Sequence, residues 1–361
     1  MDRGTIVGMR KVPIRPNVKQ IPVYVPGKRS DAGPLTYKLS SNELPFPPLP
    51  GVLAAVSDAA AEVNRYPNAF STDLIRALAD FHQVDSEQVV VGAGSLAVLG
   101  HMLAAVAGPG DQVLYPWRSF EAYPLLTAVA AATAVTVPLS PDGALDLDAL
   151  AKAITPATRV VMVCTPNNPT GPAVGRDQFE AFMDRVPGDV LVAVDNAYAE
   201  FVDDPAALDP FAVLPDHPNL LVFRTFSKAY GLAGLRVGYA VGRARLIGAM
   251  RATTPPFSVS AVAQLAGLVS LGLQDQMRQR VAETNEVRRQ LRQGLLDQGW
   301  QVPDSQGNFV WIPAGTQAGP LADALAAAGL MARAFANEGV RVTAAEPETV
   351  PHVLELTKSW V

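Results

Sequence analysis

Residues 220–236 read LLVFRTFSKAYGLAGLR. The first part, Leu220 to Thr225, is a largely continuous apolar run rather than an alternating one. Strands of that kind belong to a mostly parallel sheet with helices on both faces. The second part sets one lysine, Lys228, behind the hydroxyls of Thr225 and Ser227 and ahead of a glycine-punctuated apolar run ending in Arg236. An amine flanked by anion ligands suits pyridoxal phosphate: the amine forms a Schiff base with the aldehyde, and the hydroxyls and guanidinium bind the phosphate. A surface lysine and arginine on an ordinary helix is the plainer reading of this stretch taken alone.

Working outward, similar strand patterns recur at 88–92, 112–115, 134–138, 159–164, 190–194 and 235–240. Helical patterns at 52–64, 71–82, 96–106, 119–132, 147–154 and 176–185 lie between them. The alternation predicts an α/β fold, a mostly parallel seven-stranded sheet covered by helices. Pro255-Pro256 marks a break. Beyond it the pattern predicts one long helix over 261–298, a strand at 309–312, a helix at 320–328, a strand at 339–343 and a helix at 349–358. These would make a smaller α+β C-terminal domain. The first 50 residues are rich in Pro, Lys and Arg, with four prolines between Glu43 and Pro50, and read as an arm rather than a domain. The expected division is therefore an arm at 1–50, a large domain at 51–255 and a small domain at 256–361.

Composition limits the function classes. The chain has 361 residues, 49 % hydrophobic and 17 % charged, with net charge −5 spread without long runs of one sign. A packed globule is implied, and neither a nucleic-acid nor an anionic-membrane partner. One cysteine, Cys164, precludes an intramolecular disulfide, and with four histidines it makes a metal site improbable. Cys164 sits in the apolar run Val160-Val161-Met162-Val163-Cys164, the setting of a packed core thiol. No apolar segment near the N-terminus reads as a signal peptide and none is long enough to span a bilayer, so a cytoplasmic enzyme is expected.

Four more clusters suit the same chemistry. Gly92-Ala93-Gly94-Ser95 falls between a strand and a helix, where glycines allow close approach and amides bind phosphate. Many ordinary turns look alike. Thr165-Pro166-Asn167-Asn168-Pro169-Thr170-Gly171 follows a buried strand and offers an asparagine donor, or else a plain Asx turn. Asp195 ends a strand and would point into the crevice where α/β ligands bind, unless it only caps the next helix. Pyridoxal chemistry needs such an anion against the pyridine nitrogen. Arg341, in Gly339-Val340-Arg341-Val342-Thr343, could take an α-carboxylate bidentately or lie on the surface.

GAGS, PNNPTG, DNAY, SKAYGLAGLR and GVRVT, in this order, resemble fold-type I pyridoxal-phosphate aminotransferases of the histidinol-phosphate aminotransferase group. The nearest likeness is to the aromatic amino acid (phenylalanine) aminotransferases. The segments 21–27, 38–43, 65–67, 117–123 and 308–311 extend the likeness over nearly the whole chain. It implies an aspartate-aminotransferase-like fold, with the arm packed on the small domain and the partner subunit of a homodimer. It implies Lys228 as Schiff-base lysine and proton carrier. Ala93, Gly94, Ser95, Thr225, Ser227 and Arg236 would surround the phosphate, and Asp195 would pair with the ring nitrogen. Asn168 and Tyr198 would bond the ring hydroxyl oxygen, and Phe120 would stack on the ring. Tyr66 would reach the phosphate held by the neighbouring subunit, and Arg341 would take the substrate carboxylate. Asn42, Tyr24 and Arg333 would lie at the substrate end. Two residues depart from the pattern: Asn196 stands where glutamate is usual, and Phe120 where tyrosine often is.

Leu96, Ala97 and Phe257 occupy places where histidinol-phosphate enzymes tend to be polar or carry tyrosine. Apolar groups cannot satisfy a phosphate but can bury an aromatic ring. The expected reaction is ping-pong transamination of phenylalanine, tyrosine and tryptophan with 2-oxoglutarate. Arg333 and Tyr24 keep histidinol phosphate as the alternative. Decarboxylases and β-eliminating lyases share the fold and lysine, whereas a transcription regulator would need a helix-turn-helix that the first 50 residues do not supply.

Overall fold

The computed structural model describes residues 12–19, 21 and 37–361. One sheet holds seven strands: β1 (Val89–Gly92), β2 (Gln112–Trp117), β3 (Thr133–Pro138), β4 (Thr158–Cys164), β5 (Leu191–Asp195), β6 (Leu220–Thr225) and β7 (Gly238–Gly242). Their spatial order is β1-β7-β6-β5-β4-β2-β3. Strands β2 to β6 pair in parallel, and β7 runs antiparallel to both its neighbours.

The continuous apolar runs arise because both faces are covered. Along β4, β5 and β6, residues Val161, Val163, Val192, Val194 and Val222 enter one core with Phe179 and Phe182. The residues between them, Val160, Met162, Leu191, Ala193, Leu221 and Phe223, enter another with Leu99, Met102 and Leu103 from the helix Ser95–Val106. Period-two alternation persists in space while both faces stay dry. Each such side chain contributes about 1.5–3 kcal/mol on burial.

A second sheet, β8 (Phe309–Ile312), β9 (Arg333–Phe335) and β10 (Gly339–Thr343), is antiparallel in the order β8-β10-β9. Val310, Ile312, Val340 and Val342 pack there with Leu291, Leu295, Leu321 and Leu325. Residues 37–42 run alongside, with the Tyr37 amide donating to Gly329 O at 2.8 Å and the Thr343 amide to Leu39 O at 3.0 Å. Nearer the N-terminus, Arg15 Nη2 donates to Val129 O at 3.0 Å and Asn17 Nδ2 to Ala128 O at 2.7 Å.

Several elements differ from expectation. The helix expected over 261–298 is two, Ala261–Leu271 and Gln274–Asp297. Gly272 ends the first by turning its amide back to Val269 and Ser270. The second carries Met277 and Val281 into the large-sheet core and Leu291 and Leu295 into the small-sheet core. The strand expected over 235–240 begins at Gly238, because Ala233–Leu235 is a 3-10 turn and Arg236 is left-handed at φ 56°. The helix expected over 119–132 shortens to Ala122–Val129. Strand β9, three residues long, and the helix Ala244–Thr253 carried no pattern that was read in advance.

Candidate active site

Strands β4, β5 and β6 end at Cys164, Asp195 and Thr225, and all three residues line one cavity of about 210 Å³. Lys228, Phe120, Asn168, Tyr198, Ser95, Ser227, Arg236, Arg333 and Arg341 line it too. Residues spread over more than two hundred positions thus meet where ligands of open α/β sheets bind.

Lys228 stands on the turn after β6. Phe226, fully buried, anchors this turn, its amide donating to Val237 O at 3.1 Å, while Gly231 at φ 68° turns the chain back. The lysine Nζ donates to Ser41 O at 2.9 Å and Asn42 O at 3.2 Å. Burial, then the guanidinium of Arg341, lowers its pKa to about 7 against the pull of Glu43, with Arg236 lowering it further. Much of the amine is therefore neutral near neutral pH.

Around it lies a cup for an anion. Gly94, at φ 88°, precedes the helix Ser95–Val106, and no side chain caps that helix. Its first amides stay available to a ligand. Arg236 Nη1 donates to Ser227 Oγ at 3.3 Å and to Ala233 O at 3.1 Å. Thr225 Oγ1 accepts from the Ser227 amide at 3.1 Å. A Cβ at Gly94 would run into the Arg236 guanidinium, and one at Gly238 into the Ser95 amide nitrogen. Ala93 lies in the same turn, where the Gly94 amide donates to Gly92 O at 2.7 Å.

Asp195 faces the cavity from the end of β5. Tyr123 donates its hydroxyl to Oδ2 at 2.9 Å, while Oδ1 is buried with no hydrogen-bond partner. Burial lifts the carboxyl to about 6, with Tyr123 pulling the other way. A buried carboxylate oxygen without a donor is costly, and a cationic N–H in the cavity would satisfy it. This orphaned oxygen, the anion cup and the neutral amine together fit pyridoxal phosphate: ring nitrogen to Asp195, phosphate to the cup, aldehyde to Lys228. Cys164, pushed up to about 12 by burial, stays a protonated thiol near neutral pH, whereas the thiolate is the nucleophilic form.

Behind the cavity wall lies Asn42, fully buried and left-handed at φ 54°. Its amide donates to Thr343 Oγ1 at 3.0 Å, and its carbonyl accepts from Asn308 Nδ2 at 3.1 Å. Its own Nδ2 donates to Tyr198 OH at 2.9 Å. Arg341 Nη1 donates to Asn168 Oδ1 at 2.6 Å. Arg333 Nη2 meets both oxygens of Glu121 at 3.1 and 3.2 Å. Phe120 meets Tyr123 edge-on, centroids 5.6 Å apart, which sets its ring on the cavity wall. Asn196 Nδ2 donates to Thr165 O at 2.7 Å, tying the end of β5 to the turn after β4.

Of the expected site residues that the structure describes, Asn42, Ala93, Gly94 and Tyr66 do not line the cavity. Tyr66 is 85 % exposed, against Phe257 with centroids 4.9 Å apart, and does not line the cavity. Tyr24 lies outside the described residues. Tyr123, Glu121, Ser41 and Thr343 escaped the residue reading. Spacing held a clue to one: Tyr123 follows Phe120 by three positions, one helical turn.

The profile described as aminotransferase class I and II matches residues 36–360. The chain belongs to this family. Aminotransferases of this class depend in general on pyridoxal phosphate and act on amino acids and oxo acids. An aromatic amino acid aminotransferase of Streptomyces avermitilis is 48 % identical over 96 % of this chain and 97 % of its own length. One from Thermobifida fusca is 46 % identical over 97 % and 98 %. Among solved structures, histidinol-phosphate aminotransferase from Sinorhizobium meliloti in complex with pyridoxal-5'-phosphate superposes at TM-score 0.85 and 26 % identity, covering 96 % and 98 % of the two chains. A Thermus thermophilus aspartate aminotransferase mutant does so at 0.80, with 26 % identity over 97 % and 99 %. The aminotransferase thus has the aspartate-aminotransferase-like fold that the resemblance implied. Among the described residues, no helix is long and apolar enough to cross a membrane.

Proposed function

We propose that this aminotransferase is a homodimer that uses pyridoxal phosphate to move the amino group of aromatic amino acids to 2-oxoglutarate. The observation that carries the reading is the meeting, in one cavity, of the buried Lys228 amine, whose pKa burial lowers to about 7, with the donor-less Oδ1 of Asp195. When bound, pyridoxal phosphate supplies an aldehyde for amine exchange and a protonated ring that draws electrons from the substrate Cα. Asp195 would hold the proton on the ring nitrogen, with Tyr123 orienting that carboxylate. Ser95, Thr225, Ser227, Arg236 and the amides around Ala93 and Gly94 would hold the phosphate. Asn168 and Tyr198 would bond the ring hydroxyl oxygen, and Phe120 would pack on the ring. Arg341 takes the substrate α-carboxylate as a bidentate fork, which brings the substrate Cα toward Lys228. Lys228 Nζ then takes the Cα proton as general base and returns it as general acid. Asn42 and Arg333 serve the substrate end.

Leu96 on the cavity wall and the names of the Streptomyces and Thermobifida relatives support aromatic donors. Arg333 on the same wall and the Sinorhizobium neighbour favour histidinol phosphate as the second reading. Separate cores at the large and the small sheet support a large and a small domain, proposed as 51–255 and 256–361 after an arm at 1–50, although Val259, Ala263, Ala266, Met277 and Val281 join the large-sheet core. The lone, buried Cys164 suits a reducing compartment, and we place the enzyme in the cytoplasm.

The test compares kcat/KM for phenylalanine and histidinol phosphate with 2-oxoglutarate as acceptor, alongside Lys228→Ala. Phenylalanine is expected to win, and Lys228→Ala to lose both turnover and the visible absorbance of bound cofactor. A preference of about tenfold or more for histidinol phosphate would reverse the substrate assignment.

A further inference from the structure

Arg341 on β10 and Arg333 on β9 are paired residues in register. Directly opposed residues on one face of an antiparallel pair hold their Cβ atoms about 4.5–5.5 Å apart, and like charges so placed repel. Both arginines line the cavity, so two guanidiniums stand side by side at its substrate end. Arg333 is engaged by Glu121, whose two carboxylate oxygens lie 3.1 and 3.2 Å from Nη2. Glu121 lines the cavity as well, immediately after Phe120 in the chain. The side chains of Arg333 and Glu121 are 15 % and 30 % exposed, so the acid has a way out toward solvent.

Resting on the transamination reading, we propose that Glu121 is an internal counter-ion that lets one site accept aromatic and dicarboxylic substrates in turn. A charge count carries the argument. With Glu121 on Arg333, a substrate bearing one carboxylate pairs with Arg341 and leaves the Glu121–Arg333 pair intact. Its neutral ring then lies over an ion pair that needs no further partner. A dicarboxylate brings a second anion of its own, which binds Arg333 only if Glu121 leaves. The displaced acid stays at the start of the helix Ala122–Val129, where a negative charge is favoured. Removing Glu121's charge therefore benefits the dicarboxylate, which no longer competes, and gives the aromatic substrate no such gain.

The proposal is tested by calorimetry on the cofactor-loaded enzyme with two unreactive probes, glutarate and 3-phenylpropionate. The quantity read is the ratio of their Kd values, which cancels the long-range field that any lost negative charge would alter for both. Glu121→Gln is expected to shift the ratio toward glutarate roughly tenfold, the scale of one charge-assisted hydrogen-bond pair. Arg333→Gln should shift it about as far the other way, and adding Glu121→Gln to Arg333→Gln should move it no further. In turnover, Glu121→Gln should lower the KM for 2-oxoglutarate relative to that for phenylalanine. An unchanged ratio in Glu121→Gln, or an equal shift in the Arg333→Gln background, overturns the proposal. Failure of the wild type to transaminate phenylalanine would instead sink the functional reading, and the glutarate ratio would still decide the role of Glu121.

Discussion

Lys228 and Asp195 are both drawn toward their neutral forms, and burial is the leading cause for each. For the lysine this is useful, since only the free amine attacks a carbonyl. With its pKa lowered to about 7, uptake of pyridoxal phosphate by stripped protein should speed up as pH rises through about 7 and then level off. Stopped-flow absorbance at a series of pH values reads this directly. A rate still climbing through the ordinary lysine range would remove the amine from its assigned state. Arg341→Gln, by deleting a neighbouring positive charge, should move that inflection upward. For the aspartate the sign runs against stability. Its carboxyl titrates at about 6 when folded and 3.8 when unfolded. Between those values the native state holds a proton that the unfolded chain has released, so stability falls as pH rises through the window and the loss persists above it. Two units amount to on the order of 3 kcal/mol. Cofactor-free Asp195→Asn should therefore melt several degrees above cofactor-free wild type at pH 8, with the gap closing near pH 4. An equal gap at both values would show that the carboxylate carries no such cost.

At the scale of elements, the phosphate cup depends on how closely β7 approaches the turn before the helix Ser95–Val106. A Cβ at Gly238 would meet backbone atoms of Gly94 and Ser95, which cannot swing aside as a side-chain tip can. Gly238→Ala should therefore cost about 1–3 kcal/mol by overpacking and weaken cofactor binding with it. Gly234→Ala, with nothing near the added methyl, should stay within about 0.5 kcal/mol of wild type. Urea midpoints and cofactor titration of the two variants check the contrast, and equal losses would refute it. The same elements show what could be read from the chain. The strands at 220–225 and 309–312 were legible because a run of mostly apolar residues buried on both sides has few alternatives. The start of β7 was not, because Leu235 and Val237 continue the apolar run while Arg236 takes a left-handed turn imposed by tertiary contacts. The break at Gly272 was also hidden: a single glycine in a helical pattern costs only about 1 kcal/mol, and packing on two different cores decides its effect. Within the site, Lys228, Asp195, Asn168, Tyr198 and Arg341 announced themselves through local motifs. Tyr123 and Glu121 did not, since their roles arise from partners 72 and 212 positions away.

Across the whole molecule, several large apolar side chains stand exposed, and two of them, Tyr66 and Phe257, pack against each other. Leu53, Val63, Tyr66, Phe70 and Phe257 are 54, 68, 85, 67 and 46 % exposed. Such residues are costly to leave in water, and a second copy of the chain is the occupant proposed above. Tyr66 would then complete the phosphate cup of the other subunit, so that each active site draws on two chains. Mixed dimers test this without any further structure. Lys228→Ala chains lack the amine but keep Tyr66, and Tyr66→Ala chains keep the amine but lack the phenol. Alone, the first should be inactive and the second should hold cofactor weakly. After dissociation and reassociation with an excess of Lys228→Ala chains, nearly every Tyr66→Ala chain is paired with a subunit that supplies an intact Tyr66. Activity per Tyr66→Ala chain should then climb toward the wild-type value, and cofactor loss on dilution should slow. If Tyr66 serves only its own chain, the mixture stays at the level of Tyr66→Ala alone, and the shared site is ruled out even though the dimer forms.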